Sequence, residues 1–411
     1  MQYPSPNQPT AIKLLNRMGR GLSKLGIQRP SLLPTAALIL QARRKTGLTD
    51  FGDESFIPAL EKLAASLEHE ANLSQMGRIG VHRLLMENLT LRLNLIEYRK
   101  QRPEIAEQKI TRPLFVLGLP RTGTTILYEL LAQDPAHRAP STWEVADPIP
   151  PAQRQTYHRD PRIAEVEKGV QKLELLAPGF QAIHAMGAEL PQECVALLAP
   201  HFLSDQFGVT FHIPEYRHWA LHQDMTAAYQ WHKQFLQHMQ VDYMEQRWVL
   251  KTPPHLAYLD VLIKQYPDAA IVQTHRAPME VLPSIASLSC TLHSAFSDDI
   301  DPVAIAQGEA EYFSEMLKLG MQQRAALTDE DSRIFDVKFE DMIAAPLKVI
   351  EDLYCHFGFE FTDTVRNAME SYLSQRPRDK HGEHRYTPEQ FCLTQEKHGS
   401  LFADYCRRFD L

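Results

Sequence analysis

The spacing of apolar and polar positions changes once along this chain, near residue 108. Before that point, "SFIPALEKLAASLEHEANLSQMGRIGVHRLLMENLTLRLNLIEYRK" sets apolar residues three and four apart with charges between them, which predicts amphipathic helices. The segment "QRPEIAEQKITRP" breaks the period. Beyond it, short unbroken apolar runs alternate with helical stretches: "LFVL" (114–117), "RWVLK" (247–251), "AAIVQTHR" (269–276) and "SRIFDVK" (332–338). Apolar runs of that length between helices predict parallel strands covered on both faces. The expected architecture is α/β. Residues 1–108 form a helical N-terminal region, and residues 109–411 form an α/β domain with a helical insertion at about 150–245.

Composition narrows the function classes without choosing one. The 411 residues are 44% hydrophobic and 23% charged, ordinary for a globular protein. The net charge of −8 offers no general attraction to nucleic acid, so an anionic ligand must be held by a local basic cluster. The five cysteines, Cys194, Cys290, Cys355, Cys392 and Cys406, have no C-x-x-C spacing and an odd count. Reduced thiols in a cytoplasmic protein fit this better than a disulfide framework or a zinc site. The most apolar N-terminal run, "LLPTAALILQ", is too short to span a bilayer and holds Pro34. A soluble protein with no membrane span is expected.

The chemistry is concentrated in "RPLFVLGLPRTGTTILYELLAQDP" (112–135). Gly118 to Thr125 fit the phosphate-loop pattern G-x-x-x-x-G-K-[ST], with Thr124 in the lysine position. A strand enters the loop and an apolar-faced helix leaves it, which aims backbone N–H groups and the positive helix end at an anion. Thr124 and Thr125 add hydroxyls, and Arg121 restores a cation as a planar fork suited to a tetrahedral oxyanion. A kinase would also need the loop lysine and a magnesium ligand. Asp336 in "SRIFDVK" is a candidate for that ligand, and a phosphotransferase is the competing enzyme class. A non-catalytic nucleotide-binding scaffold is the third reading.

With "GLPRTGTT" (118–125), "TWE" (142–144), "RWVLKTPPH" (247–255), "YPDAAIVQTHRAPMEVLPS" (266–284) and "HRYTPEQF" (384–391), the chain resembles the PAPS-dependent sulfotransferases, in the bacterial branch with a P-R-[ST]-G-T-T loop. PAPS is 3′-phosphoadenosine-5′-phosphosulfate. The resemblance implies a P-loop-type parallel sheet flanked by helices. It implies transfer of a sulfuryl group to a hydroxyl or amine of a small-molecule acceptor, adenosine 3′,5′-bisphosphate as product, and no catalytic metal. Alcohols, phenols, sterols, sugars and lipid headgroups all stay open as acceptors.

The same resemblance distributes roles. Arg121, Thr122, Gly123, Thr124 and Thr125 would wrap the 5′-phosphosulfate. Lys251, at a strand's C-terminal edge where open parallel sheets bind ligands, would approach the transferring group. Arg276 and Ser284 would hold the 3′-phosphate, with Pro283 liable to disturb the serine's helix. Lys380 and Arg385, in the basic stretch "RPRDKHGEHRY", are candidates for a second clamp. For the proton acceptor, Glu144 beside Trp143 is the first choice, since partial burial raises a carboxyl pKa toward a useful value. His184 and Glu193 are alternatives, and a structural carboxylate is the competing reading of Glu144. The insertion holds seven histidines between 184 and 238, plus Tyr216, Trp219, Tyr229 and Trp231. These aromatics suit a wall over an acceptor site or a packed core equally. His218 and His222 stand one helical turn apart, but the sequence shows no third metal ligand at suitable spacing.

Overall fold

Along β1 (Leu114–Gly118), alternate side chains point to opposite layers of the molecule. Leu114 and Val116 pack in one hydrophobic cluster with Leu127, Leu130 and Leu131. Phe115 and Leu117 pack in another with Trp248, Leu250 and Ile271. All five residues of the strand are buried. That two-sided burial is why the strand reads as a continuous apolar run rather than an alternating one.

These features come from a computed structural model that describes residues 14–17, 19, 21, 34–176, 186–297, 299–375 and 388–411. The described residues contain a five-stranded sheet in the order β2-β3-β1-β4-β5, with every neighbouring pair parallel. The other strands are β2 (His137–Arg138), β3 (Arg247–Lys251), β4 (Ala270–His275) and β5 (Ile334–Lys338). The fold is therefore α/β, a P-loop-type parallel sheet flanked by helices. Four strands match the apolar runs of the sequence. β2 is two residues long at the sheet edge, too short to leave a periodic signal.

The N-terminal helices Thr35–Thr46, Ile57–His69 and Gln75–Gln101 share one hydrophobic cluster with the helices between residues 194 and 240. Arg92 ties the two regions together. It is 1% exposed, lies between the rings of Phe56 and Trp231, and donates to the carbonyls of Phe51 and Pro200. Gly77 allows a second close approach: a Cβ there would stand 2.0 Å from the carbonyl oxygen of Phe296. Tyr216, Tyr229 and Trp231 of the insertion are all core residues, so this aromatic content is packing rather than an open wall. No helix among the described residues is long and apolar enough to cross a membrane.

Candidate functional site

Three strand ends lie side by side at the carboxyl edge of the sheet. β1 is central, with β3 on one side and β4 on the other. The register sets Val116 opposite Lys251 and Gly118 opposite Thr274. The phosphate-like loop is thus flanked by the residue that ends β3 and the residues that follow β4. Strand order reverses at this edge, which is where open α/β sheets bind ligands.

The loop backbone is shaped by residues with positive φ. Gly118 (141°), Arg121 (70°) and Gly123 (89°) all lie there. A Cβ on Gly118 would stand 2.2 Å from Thr274 Oγ1, so glycine is needed both for its conformation and for space. Thr122 is fully buried and donates from Oγ1 to the Leu119 carbonyl at 2.6 Å. The same hydroxyl is hydrogen-bonded to Thr274 Oγ1 at 2.6 Å. Its side chain therefore anchors the loop to β4, leaving only its backbone N–H for a ligand. Gly123 caps the helix Thr124–Leu131, whose first-turn amides have no intrahelical acceptor. A non-glycine residue in left-handed backbone, as at Arg121, stores strain of the kind that collects at ligand sites.

Lys251 is 4% exposed, and its ammonium group is shared. It donates to Glu193 Oε1 at 2.5 Å and to Thr125 Oγ1 at 3.2 Å. Glu193 reaches it because residues 187–193 dock on residues 140–143: Thr142 N–H donates to the Leu190 carbonyl, and Gln192 N–H to that of Pro140. The Glu193 side chain keeps 18% exposure. The loop hydroxyl, the strand-end lysine and a partly exposed carboxylate are thus in one hydrogen-bonded chain.

Glu144 is set apart from Lys251 by its own partners. It is 1% exposed, with Oε1 paired to Arg138 Nη2 and Oε2 accepting from Tyr157 O–H at 3.2 Å. Arg138 is enclosed in turn by the rings of Tyr157, Tyr243 and Trp248. Burial pushes the Glu144 carboxyl up, while Arg138 and Tyr157 pull it down. Both oxygens are committed inside the protein. The cation partner of Glu144 is Arg138. Arg138 was legible only as one basic residue in "HRAPSTWE"; its burial under three aromatic rings has no local signature.

On the β4 side, Arg276 stacks over Phe339 at 4.1 Å and donates to Glu280 at 3.0 Å. His275, just before it, is held from both sides by the Tyr405 hydroxyl and Asp336 Oδ1, each at 2.8 Å. Asp336 also receives a two-pronged contact from Arg324 at 2.8 and 2.9 Å. Burial alone would raise its pKa, but Arg324 and His275 outweigh that and hold it well below the carboxylate range. The acid considered as a magnesium ligand is held here by Arg324 and by His275, the residue before Arg276. Ser284 is 4% exposed in the second turn of the helix Pro278–Phe296. Pro283 lies inside that continuous helix and does not delay its start.

His184, Lys380 and Arg385 lie outside the described residues. His218 and His222 meet at 4.7 Å between ring centroids, and the fold supplies the third group absent from local spacing. Glu315 lies 3.3 Å from His218 Nδ1 and 2.9 Å from His222 Nε2. His218 and His222 are exposed, and Glu315 is half-buried.

Comparison with known proteins follows the same lines. The model of the sulfotransferase family matches residues 113–363. Omega-hydroxy-beta-dihydromenaquinone-9 sulfotransferase Stf3 of Mycobacterium bovis is 25% identical over 311 residues, covering 71% of this chain and 74% of its own length. The crystal structure of sulfotransferase STF1 from Mycobacterium tuberculosis H37Rv superposes with a TM-score of 0.81 at 32% identity, over 92% of this chain and all of that one. Sulfotransferase STF9 from Mycobacterium avium superposes with a TM-score of 0.84 at 26% identity, over 93% of this chain and 99% of its own.

Proposed function

This chain belongs to the sulfotransferase family, and on that premise we propose that it takes a sulfuryl group from PAPS and delivers it to a hydroxyl, or an amine, of a small-molecule acceptor without a metal at the transferring group. The observation that carries this reading is Lys251 Nζ held between Thr125 and Glu193 at the carboxyl edge of the sheet. PAPS supplies the sulfuryl group and leaves as adenosine 3′,5′-bisphosphate.

The loop amides from Thr122 to Thr125, the Thr124 and Thr125 hydroxyls and the Arg121 guanidinium bind the 5′-phosphosulfate. The positive helix end and preformed donors suit such an anion. Lys251 donates toward the bridging oxygen, where negative charge grows as the S–O bond breaks; donors fixed in advance lower that barrier. Arg276 and Ser284 bind the 3′-phosphate, the group that separates PAPS from ATP. Lys380 and Arg385 complete that clamp.

For the proton acceptor we favour Glu193 over Glu144. Glu193 touches Lys251 and keeps solvent access, whereas Glu144 is enclosed and spent on Arg138. As the acceptor oxygen bonds to sulfur, its proton passes to the Glu193 carboxylate. Glu144 acts as a positioning residue that holds the strand-to-helix segment on which residues 187–193 dock. His184 keeps its place as the alternative base.

The acceptor class we favour is a hydroxylated small molecule, since the name of the relative Stf3 gives it an omega-hydroxylated dihydromenaquinone. The donor is tested by thermal unfolding in EDTA. Adenosine 3′,5′-bisphosphate should raise the melting temperature by mass action, and ATP with magnesium should do much less. The reverse ranking sinks the proposal.

A further inference from the structure

Beneath the transfer site, three side chains that the sulfuryl transfer does not use come together. Cys194 opens the helix Cys194–Leu198, directly after Glu193. His255 lies in the turn Pro253–Tyr258 that follows Lys251, and His232 lies in the helix Thr226–Gln240. Their exposures are 0%, 1% and 0%, and their potential ligand atoms all lie within 4.8 Å of one another.

The hydrogen bonding of the two imidazoles is lopsided in the same way. His232 Nδ1 is hydrogen-bonded to the Tyr266 hydroxyl at 2.7 Å, and His255 Nδ1 to the Tyr229 hydroxyl at 2.5 Å. Neither Nε2 has a hydrogen-bond partner among the described residues. An unpaired buried polar atom is costly, so two of them in one side-chain cluster call for an explanation. In the tautomer whose Nδ1–H donates to the tyrosine oxygen, Nε2 carries a bare lone pair, which is how outer partners prepare a histidine to ligate a metal.

We propose that Cys194, His232 and His255 form an enclosed binding site for a thiophilic d10 cation, Cu⁺ or Zn²⁺. One thiolate and two imidazoles are a donor set that these ions select. Metal–nitrogen bonds of about 2.0–2.1 Å and metal–sulfur bonds of about 2.3 Å put neighbouring ligand atoms about 3.3–3.8 Å apart, so the three groups need contract by no more than about 1.5 Å. Charge separates the two ions. One thiolate neutralises Cu⁺ completely but leaves a net charge with Zn²⁺, and a dry pocket penalises net charge. Binding replaces the thiol proton: a sulfur–metal bond forms, the S–H bond breaks, and one proton is released. Burial opposes the free thiolate, pushing the Cys194 thiol up in pKa, so the cation is what draws the proton off.

The site has a consequence for the transfer machinery. Cys194 is covalently next to Glu193, and His255 lies four residues after Lys251 in the turn that follows its strand. An ion held there would pin both ends of the Lys251–Glu193 contact from below. This inference does not depend on the identity of the sulfuryl donor.

The test is metal content in the full chain carrying His218→Ala and His222→Ala, which removes the exposed histidine pair. Cultures are supplemented separately with zinc and with copper, so that the pocket loads as the chain folds. The expected result is about one ion per chain after gel filtration, reduced at least about tenfold by Cys194→Ser and kept by Cys290→Ser at another buried thiol. Copper exceeding zinc assigns Cu⁺, and zinc exceeding copper assigns Zn²⁺. If Cys194→Ser does not fold, refolding the parent with Co²⁺ decides: a sulfur-to-cobalt charge-transfer band with one proton released per ion supports the site, and absence of the band overturns it. A metal content below about a tenth of an equivalent from both cultures, or one unchanged by Cys194→Ser, also overturns it.

Discussion

Lys251 donates to Glu193 across 58 residues of sequence, 2.5 Å from nitrogen to oxygen, while its other recorded partner is the loop hydroxyl of Thr125. The contact joins the end of a strand to the start of a helix and puts a cation and a base candidate on the same few atoms. Changing either partner should therefore affect turnover in a distinct way.

Lys251→Ala should depress kcat by roughly 10²-fold or more, the usual loss when one transition-state donor is removed. Glu193→Gln keeps shape and hydrogen bonding but removes basicity, and should lower kcat by roughly 10²–10⁴. Affinity for adenosine 3′,5′-bisphosphate should barely change in Glu193→Gln, and the acid limb of its pH–rate profile should vanish. Steady-state kinetics with product-nucleotide titration separates the two. A Glu193→Gln enzyme with normal turnover and an intact acid limb would return the role to Glu144 or His184.

Arg276→Ala should act on binding. Loss of a charged hydrogen bond costs about 1.5–3 kcal/mol, roughly a 10- to 150-fold rise in Kd for the bisphosphate. The preference for that nucleotide over adenosine 5′-phosphate should narrow by a similar factor. Calorimetric titration of both nucleotides measures it. Equal weakening toward both would mean that Arg276 does not meet the 3′-phosphate.

Glu144→Ala should show mainly as a stability loss. It leaves the Arg138 guanidinium charged and unpaired among Tyr157, Tyr243 and Trp248. Breaking one half of a buried ion pair costs about 3–5 kcal/mol. Urea unfolding should report that loss, and replacing Arg138 as well, with Met, should recover part of it. A Glu144→Ala protein as stable as the parent but inactive would make Glu144 a chemical participant after all.

Stability should fall steeply on mild acidification. Burial holds His201 near a pKa of about 3, His238 near about 4 and His293 near about 3. Their unfolded values are about 6.5, so on acidification the unfolded chain takes up protons first. The contribution of each neutral histidine is complete above about pH 6.5 and is lost progressively as pH falls toward the folded pKa. Each removes up to about 1.4 kcal/mol per pH unit, so the three together remove about 4 kcal/mol per unit below pH 6. Urea midpoints measured from pH 7.5 to 5 should show this slope. A flat profile across that range would mean that these imidazoles are not held neutral by the fold.

What the sequence by itself determined is the local layer: strands at 114, 247, 270 and 334, the glycine turn between β1 and its helix, and helices before residue 108. Each follows from backbone geometry acting over a few residues. A buried strand demands a short apolar run, and a turn that passes through positive φ at residues 118 and 123 favours glycine there. Tertiary structure alone decided which side chains meet. Glu144 and Glu193 both read as carboxylates near the site, but only folding encloses one with Arg138 and leaves the other at Lys251. Asp336 reads as a strand acid, and its pairing with Arg324 and His275 exists only once β4 and β5 are adjacent. Glu315 reaches His218 and His222 from a helix about ninety residues on, and Cys194 reaches two histidines whose spacing suggests nothing. The physical reason is the same in each case: local periodicity comes from φ, ψ and side-chain direction within one element, whereas charge pairing and desolvation are set by whichever elements pack together.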